Sequence, residues 1–391
     1  MVAELVVELE AEVGKVGHVV ALRGNGRQKQ VGVGAPAGRE LAAYVDHELG
    51  LTPALSVRYG LRVSAFQYLG AATARDYAGP DGQEKVPVNA RDYAAGAVIQ
   101  TYPNLEPRLS VRLALSESSS LKASYNRMAQ YLHLLSNTTA SSPFDVWSLS
   151  TTNVRPERAD QVALGYFRNF EHNAVEASVE VFGKQMTNQI DFIDGANLLL
   201  NQDLEGSLLY GRGRAYGAEF YVRKNTGRLS GWVSYTLSHS ERQVDAINHN
   251  AWYDTKYDKR HVLAVVGIYT LSPRWSLSST FNYSTGVAAT VPDSRYVVGG
   301  LVVPNVSGGE RNNYRVPAYH RLDFAATRQN PHRPGARYTS SWVFSVYNLY
   351  ARRNAYSIYF RQNADDPTRT EAVRLAILGT LVPSATYNFN F

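Results

Sequence analysis

Three observations predict an all-β fold, an antiparallel up-and-down transmembrane β-barrel. The first is alternation. In WSLSSTFNYS (275–284), Trp275, Leu277, Phe281 and Tyr283 share one parity, while Ser276, Ser278, Thr280, Asn282 and Ser284 hold the other; only Ser279 breaks the apolar row. Successive strand side chains point to opposite faces, so this segment has one apolar and one hydroxyl-rich face. The second is asymmetry: tight turns and long polar connections take turns along the chain. The third is the ending, ATYNFNF, which places Tyr387, Phe389 and Phe391 on one parity.

Taken in order, the pattern predicts about fifteen strands. They fall near 3–12, 15–23, 40–50, 54–69, 107–116, 119–132, 158–170, 173–189, 207–225, 228–243, 258–271, 274–290, 318–329, 337–360 and 371–391. In LSVRYGLRVSAF (55–66), Leu55, Val57, Tyr59, Leu61 and Val63 oppose Ser56, Arg58, Arg62 and Ser64. In VEASVEVFGK (175–184), Val175, Val179 and Val181 oppose Glu176, Ser178 and Glu180, and in LSGWVSYTLSHS (229–240) Val233, Tyr235 and Leu237 oppose Ser234, Thr236 and Ser238. A helical stripe is hard to find after residue 50.

The tight turns are GLTPA, SESS, FEHN, NTGR, LSPR and NPHRPGA; the long connections lie near 24–39, 70–106, 133–157, 190–206, 244–257, 291–317 and 361–370. All tight turns therefore gather at one end of the sheet and all large loops at the other. Outer-membrane barrels have this asymmetry, with short periplasmic turns and long external loops. A soluble sandwich also alternates, but immunoglobulin-like arrays would show regular linkers and even loop lengths, and a lipocalin-like barrel would have far fewer strands. Trp275, Leu277, Phe281, Val179, Val181, Val233 and Tyr235 are thus expected to face lipid. Ser276, Ser278, Ser234, Glu176 and Glu180 are expected to face a wet lumen.

Composition narrows the function. The chain has 391 residues, no Cys and 26 Tyr, with a net charge of +6 spread along its length. A thiolate metal site and a thiol nucleophile are excluded. No run of five or more basic residues marks a nucleic-acid footprint. The Tyr excess suits interfacial girdles. No segment has the continuous apolar length of a spanning helix, and the N-terminus, interrupted by Glu4, Glu8, Glu10 and Glu12, does not read as a signal peptide.

Motifs for chemistry fail on inspection. SHSERQVDAINHNAWYDTKYDKRH (238–261) supplies His239, His249, His261, Asp245, Asp254 and Asp258, but its spacing meets no metal or nucleophile rule. No catalytic residue, metal site or cofactor is expected. GRGRAYG (211–217) lies within a strand and precedes no helix, so its glycines are read as relief of crowding or a bulge rather than a phosphate loop. Trp147, Trp252 and Tyr253, large aromatics in loops assigned to the outside, are the candidate ligand contacts.

NVRPERADQVALGYFRNF (153–170), NQIDFIDGANLLLNQDLEGSLLYGRGRAYGAEFYVRK (188–224) and WVSYTLSHSERQVDAIN (232–248) resemble the barrel of TonB-dependent outer-membrane receptors. So do YDKRHVLAVVGIYTLSPRWSLSSTFNYSTG (257–286), YRVPAYHRLDFAA (314–326), WVFSVYNLYARRNAYSIYF (342–360) and LVPSATYNFNF (381–391). The resemblance covers about residues 40–391 in consistent order and points to the subgroup whose plug follows a carboxypeptidase-regulatory-like domain. It implies a plugged 22-stranded barrel, of which residues 1–391 would form the last part, with the plug and TonB-binding segment absent. It implies ligand import across the bacterial outer membrane rather than an enzyme. The lipid of that membrane, the barrel-assembly machinery and a surface lipoprotein are the partners; the TonB complex would act only through the missing N-terminal part, and nucleic acid is not a partner. Tyr387, Phe389 and Phe391 resemble the C-terminal barrel-assembly signal. A plugless porin-like channel and a barrel enzyme are the alternatives. Fifteen strands would leave the first and last parallel, so an incomplete ring, or a displaced first strand leaving fourteen, is expected.

Overall fold

The computed structural model describes residues 10–15, 37–135, 146–198, 201–292, 294–299, 301–305, 309–330, 339–363, 365–366 and 369–390. Fourteen strands form one antiparallel meander in which each pairs with its predecessor along the chain. They are β1 (Glu10–Lys15), β2 (Ala37–Gly50), β3 (Leu55–Leu69), β4 (Val98–Ser116), β5 (Ser119–Gln130), β6 (Glu157–Phe170) and β7 (Val175–Phe192). There follow β8 (Leu208–Lys224), β9 (Leu229–Val244), β10 (His261–Ser272), β11 (Trp275–Ser284), β12 (Tyr319–Gln329), β13 (Thr339–Tyr347) and β14 (Val382–Asn390). No described helix is long and apolar enough to cross a membrane; such walls cross with strands.

The ladders hold the predicted parity. Leu164 pairs with Val181, Val181 with Ala218, and Ala218 with Leu237. One residue further round the pleat, Glu180 lies opposite Gly165 and Glu219. Val162 and Val181 are 56% and 48% exposed, so the apolar row lies on a surface rather than in a core. Glu176 and Glu180 take the other face, where Asn225 donates to Glu176 Oε1 at 2.7 Å. The sheet is curled, because Phe66 of β3 and Arg242 of β9 line one cavity.

Several expected boundaries move. Residues 10–15 form one strand, with no break between the strands expected at 3–12 and 15–23; the remainder of those two segments lies outside the described residues. The single strand expected over 337–360 ends at Tyr347. Asn348 adopts a left-handed φ of 56°, a conformation Asn tolerates, and its Oδ1 accepts from the Arg352 N–H at 2.9 Å. Pairing resumes outside the wall as a hairpin of Ser357–Gln362 with Thr370–Leu375, so the strand expected at 371–391 is also divided. The strand expected at 274–290 stops at Ser284. At Gly286 a Cβ would lie 1.5 Å from the Val316 carbonyl oxygen, which shows how closely the two loop backbones approach. The turn NPHRPGA lies outside the described residues beyond Asn330.

The β7–β8 register shifts between Thr187 and Gln189, opposite Arg212 and Gly211, but the extra residue is Asn188 of β7, so the bulge faces GRGRAYG rather than lying in it; Gly211 relieves crowding, since a Cβ there would lie 2.1 Å from the Gln243 carbonyl oxygen. Fourteen strands put β1 and β14 in opposite directions. Among the described residues no ladder joins them.

The long connections are not structureless. Hairpins Ala72–Ala78/Val86–Tyr93, Leu132–Leu135/Val146–Leu149 and Ser294–Val298/Leu301–Asn305 stand within them. Tyr253–Asp254 extends the sheet beside β9. Most of the buried apolar side chains lie at this loop end. Phe66, Tyr68, Tyr131 and Leu149 form one cluster, while Leu135, Val154, Ile190 and Leu208 form another.

Candidate functional site

At the loop end, the hairpin Leu132–Leu149 folds onto the inner faces of the strands. One of its faces buries Leu135 against Ile190 and Leu208, and His133 beside Ser150, whose Oγ lies 3.0 Å from His133 Nε2. The other face carries Leu132 and Leu134 toward a cavity of about 750 Å³, also lined by Met128, Glu157, Lys184 and Arg242. A second cavity of about 330 Å³ adjoins it through Leu134 and Arg242, and is lined further by Tyr253, Arg311 and Phe360.

Charge in this space is held by long-range pairs. Arg311 donates to Asp191 Oδ1 and Asp194 Oδ1, both at 2.6 Å. Burial alone would push the Arg311 pKa down, but those two carboxylates and the Tyr253 phenol raise it above the ordinary guanidinium value. Tyr253 donates to Asp191 Oδ2 at 2.7 Å; burial, then the Asp191 charge, pushes its phenol pKa far up, so it remains a donor. Arg242 donates to the Ile190 carbonyl at 3.2 Å and has no ion-pair partner among the described residues. The cavity wall thus combines apolar surface with charge of both signs, the cations Lys184 and Arg242 and the Glu157 carboxylate.

The outward side of the same end holds a second network. His239, Glu241 and Asp254, scattered in sequence, bring ligand-type atoms within 4.8 Å of one another. Three guanidiniums already serve these acids: Arg214 binds Glu241 at 2.8 Å, Arg260 lies 3.8 Å from Asp254, and Arg315 grips Asp254 as well. Arg315 also binds the buried Asp258 at 2.7 Å, and Asp258 Oδ1 accepts from the Ser240 N–H at 2.8 Å. Burial would raise the Asp254 carboxyl, yet the His239 hydrogen bond and the Arg315 charge hold it below the usual carboxylate range. Charge balance makes this a staple that ties two loops to β9, not a metal-binding trio.

The three aromatics named as candidate ligand contacts lie in different places at the loop end. Trp147 is 44% exposed and pairs with the cavity-lining Leu134. Tyr253 is only 6% exposed and faces inward. Trp252, one residue earlier, covers Arg214 with the guanidinium 4.1 Å from its ring centre, on the outward side. Sequence reasoning missed Asp191, Arg242 and Arg311. Parity could have found Arg242, since it continues the inward series of Ser234, Ser238 and Ser240.

Tyr387 and Phe389 stand outward and exposed beside Trp342, whose ring centre lies 4.9 Å from that of Tyr387. Phe391 lies outside the described residues.

A family model for the TonB-dependent receptor-like β-barrel matches residues 20–349. The chain belongs to that family. TonB-dependent receptors of this kind reside in the bacterial outer membrane and are transport receptors, not enzymes. No curated protein matches significantly. The fold is similar to that of the ferric-catecholate import receptor Fiu of E. coli K12, at 15% identity and a TM-score of 0.59, covering 98% of this chain and 50% of that one. It is also similar to the siderophore receptor PiuA of Acinetobacter baumannii, at 14% identity and a TM-score of 0.57, covering 91% and 44%. The ferric citrate transporter FecA matches at 14% identity and a TM-score of 0.57, covering 94% and 48%. The chain spans about half the length of the solved structures it matches.

Proposed function

We propose that this TonB-dependent receptor barrel imports a scarce ligand across the outer membrane. The observation that carries the reading is the division of the inner surface: a polar lumen wall with Glu176, Glu180, Ser234 and Ser276 on the inward parity, and above it folded-in loops that enclose connected cavities. Trp147, on the cavity side of its hairpin, is the aromatic contact for the ligand. Tyr253 holds the second cavity wall, and Trp252 serves the outer surface. A plug and a TonB-binding segment encoded ahead of residue 1, preceded by a carboxypeptidase-regulatory-like domain, would link the barrel to the TonB complex. A surface lipoprotein is a further partner at the loops.

Reading the DNA upstream of the Met1 codon tests this directly. An in-frame plug supports import; a genuine start at Met1 would turn the reading toward a plugless pore. In the full gene product, uptake should also disappear when TonB is removed. Tyr387, Phe389 and Phe391 are proposed to act as the assembly signal. Deleting Phe391 should lower the amount of heat-modifiable protein in outer membranes, whereas unchanged assembly would leave these residues as an ordinary edge strand.

A further inference from the structure

The larger cavity carries opposite charges at its two ends. One inward ladder row runs Met128, Ala159, Met186, Gly213 and Arg242 across β5 to β9. Glu157 stands above this row at the loop end and Lys184 below it toward the turns, and both line the cavity. Lys184 pairs with Gln161, four residues along β6 from Glu157, so roughly 13 Å of strand separates the two at the usual rise. Glu157 is fixed from behind: Gln189 Nε2 donates to its Oε2 at 2.7 Å, and Nδ1 of the buried His133 lies 3.6 Å from its Oε1. Lys184 has neutral row neighbours, Gln161 and Ala215, and neither a hydrogen bond nor an ion pair among the described residues. The other charged groups on this wall are engaged already. Glu40 binds Arg62 at 2.7 Å, Arg158 Nε donates to Asn104 Oδ1 at 2.8 Å, and Arg242 donates to the Ile190 carbonyl at 3.2 Å. Between the two ends the surface is apolar. Met128 and Met186, the only methionines beyond Met1, both line it, together with Leu132 and Leu134 of the folded-in hairpin.

We propose that the ligand of this barrel is a short peptide, with its amino terminus at Glu157 and its terminal carboxylate at Lys184. The proposal rests on the import reading and names the substrate class for it. A bound ligand takes both charged side chains out of water, and a neutral ligand would leave each of them unpaired. A purely anionic ligand would suit Lys184 but bring like charge against Glu157. A chain with an ammonium at one end and a carboxylate at the other satisfies both. An extended peptide spans at most about 3.3–3.6 Å per residue, so about four residues bridge the two ends. The cavity of about 750 Å³ is of small-ligand size. Its middle is suited to varied side chains, because unbranched thioethers repack around different apolar groups. Met186 already lies across Gly213, where a Cβ would stand 3.0 Å from its Cε. The site therefore reads free termini and length, and tolerates sequence.

The test uses the full gene product in detergent, with folding scored by heat modifiability and binding by titration calorimetry. The probe is the tetrapeptide alanyl-leucyl-leucyl-alanine, set against its N-acetylated form, its C-amidated form and ferric citrate. The free peptide should bind about tenfold more tightly than either capped form, the loss expected for one charged hydrogen bond, and ferric citrate should not displace it. Glu157→Gln should abolish the preference against acetylation and keep that against amidation, while Lys184→Gln should do the reverse. Glu157→Asp should retain part of the first preference. Lys184→Gln removes a side chain without a partner in the fold, so it carries the test if Glu157→Gln does not assemble. Equal binding of free and capped peptides, an unchanged preference against amidation in folded Lys184→Gln, or displacement by ferric citrate overturns the assignment. An in-frame plug upstream of Met1 with no peptide binding would leave import standing and remove the peptide.

Discussion

At the loop end Val154 is 0% exposed, whereas on the wall Val162 is 56% exposed, although both are valines of the same region of sequence. The wall has no core of its own. Its strands satisfy their backbone groups in the ladder, and its apolar side chains find their solvent in lipid. The loop end instead resembles a small soluble domain, with clustered apolar side chains and polar groups paired across long stretches of sequence. A substitution is therefore judged by opposite rules in the two places: on the wall by the face it takes, at the loop end by the partner it leaves behind.

The largest expected effect breaks the loop-end staple. Asp258→Ala removes a buried carboxylate from Arg315 and from the Ser240 N–H, at a cost of about 3–5 kcal/mol. Limited proteolysis should then cut within residues 245–260 while the wall stays protected. An equally resistant loop would show that the staple contributes little. On the wall, Val181→Arg puts a charge into lipid one ladder row below Tyr125, Tyr216 and His239, and should cost about 2 kcal/mol, between the values for interface and midplane. Its neighbour on the lumen face, Glu180→Gln, should fold like the parent in a urea titration from vesicles; similar losses in both would erase the distinction between faces.

A smaller effect is expected from Tyr253→Phe, which deletes the hydrogen bond to Asp191 but leaves Arg311 in place. A loss of about 1.5 kcal/mol should appear as faster amide exchange around residues 190–194 and 309–312, with no change in β5 or β6. The smallest effect is that of acid. Because the folded Asp254 pKa lies below its ordinary value, its contribution to stability is complete above the unfolded carboxylate pKa and fades as pH falls through the folded one. As pH falls below the ordinary aspartate value of 3.8, the loops around Asp254 should become more protease-sensitive before the wall does. Simultaneous loss at both ends would count against a separate staple.

The fold was legible because the signal for it is local. Val179, Val181 and Glu180 declare their faces by parity alone, and FEHN or NTGR declares a turn without help from distant residues. The failures also have particular causes. The alternation of VFSVYNLYARRNAYSIYF continues through Asn348, but a left-handed Asn whose side chain binds the Arg352 N–H ends the strand there. Trp252 and Tyr253 look equivalent as loop aromatics. Alternation beside β9 sends Trp252 out over Arg214 and Tyr253 in toward Asp191.

The sequence by itself determined a membrane barrel, its turn end and loop end, and the face of nearly every wall residue, because a period of two and a tight turn are properties of a few neighbouring residues. Only the tertiary structure decided the loop end. There Arg311 meets an aspartate 120 residues away, and His239, Glu241 and Asp254 converge upon arginines from three separate segments. Such pairs depend on which loops fold inward over the lumen, and that choice is made by packing and charge balance among segments with no periodic pattern to announce it.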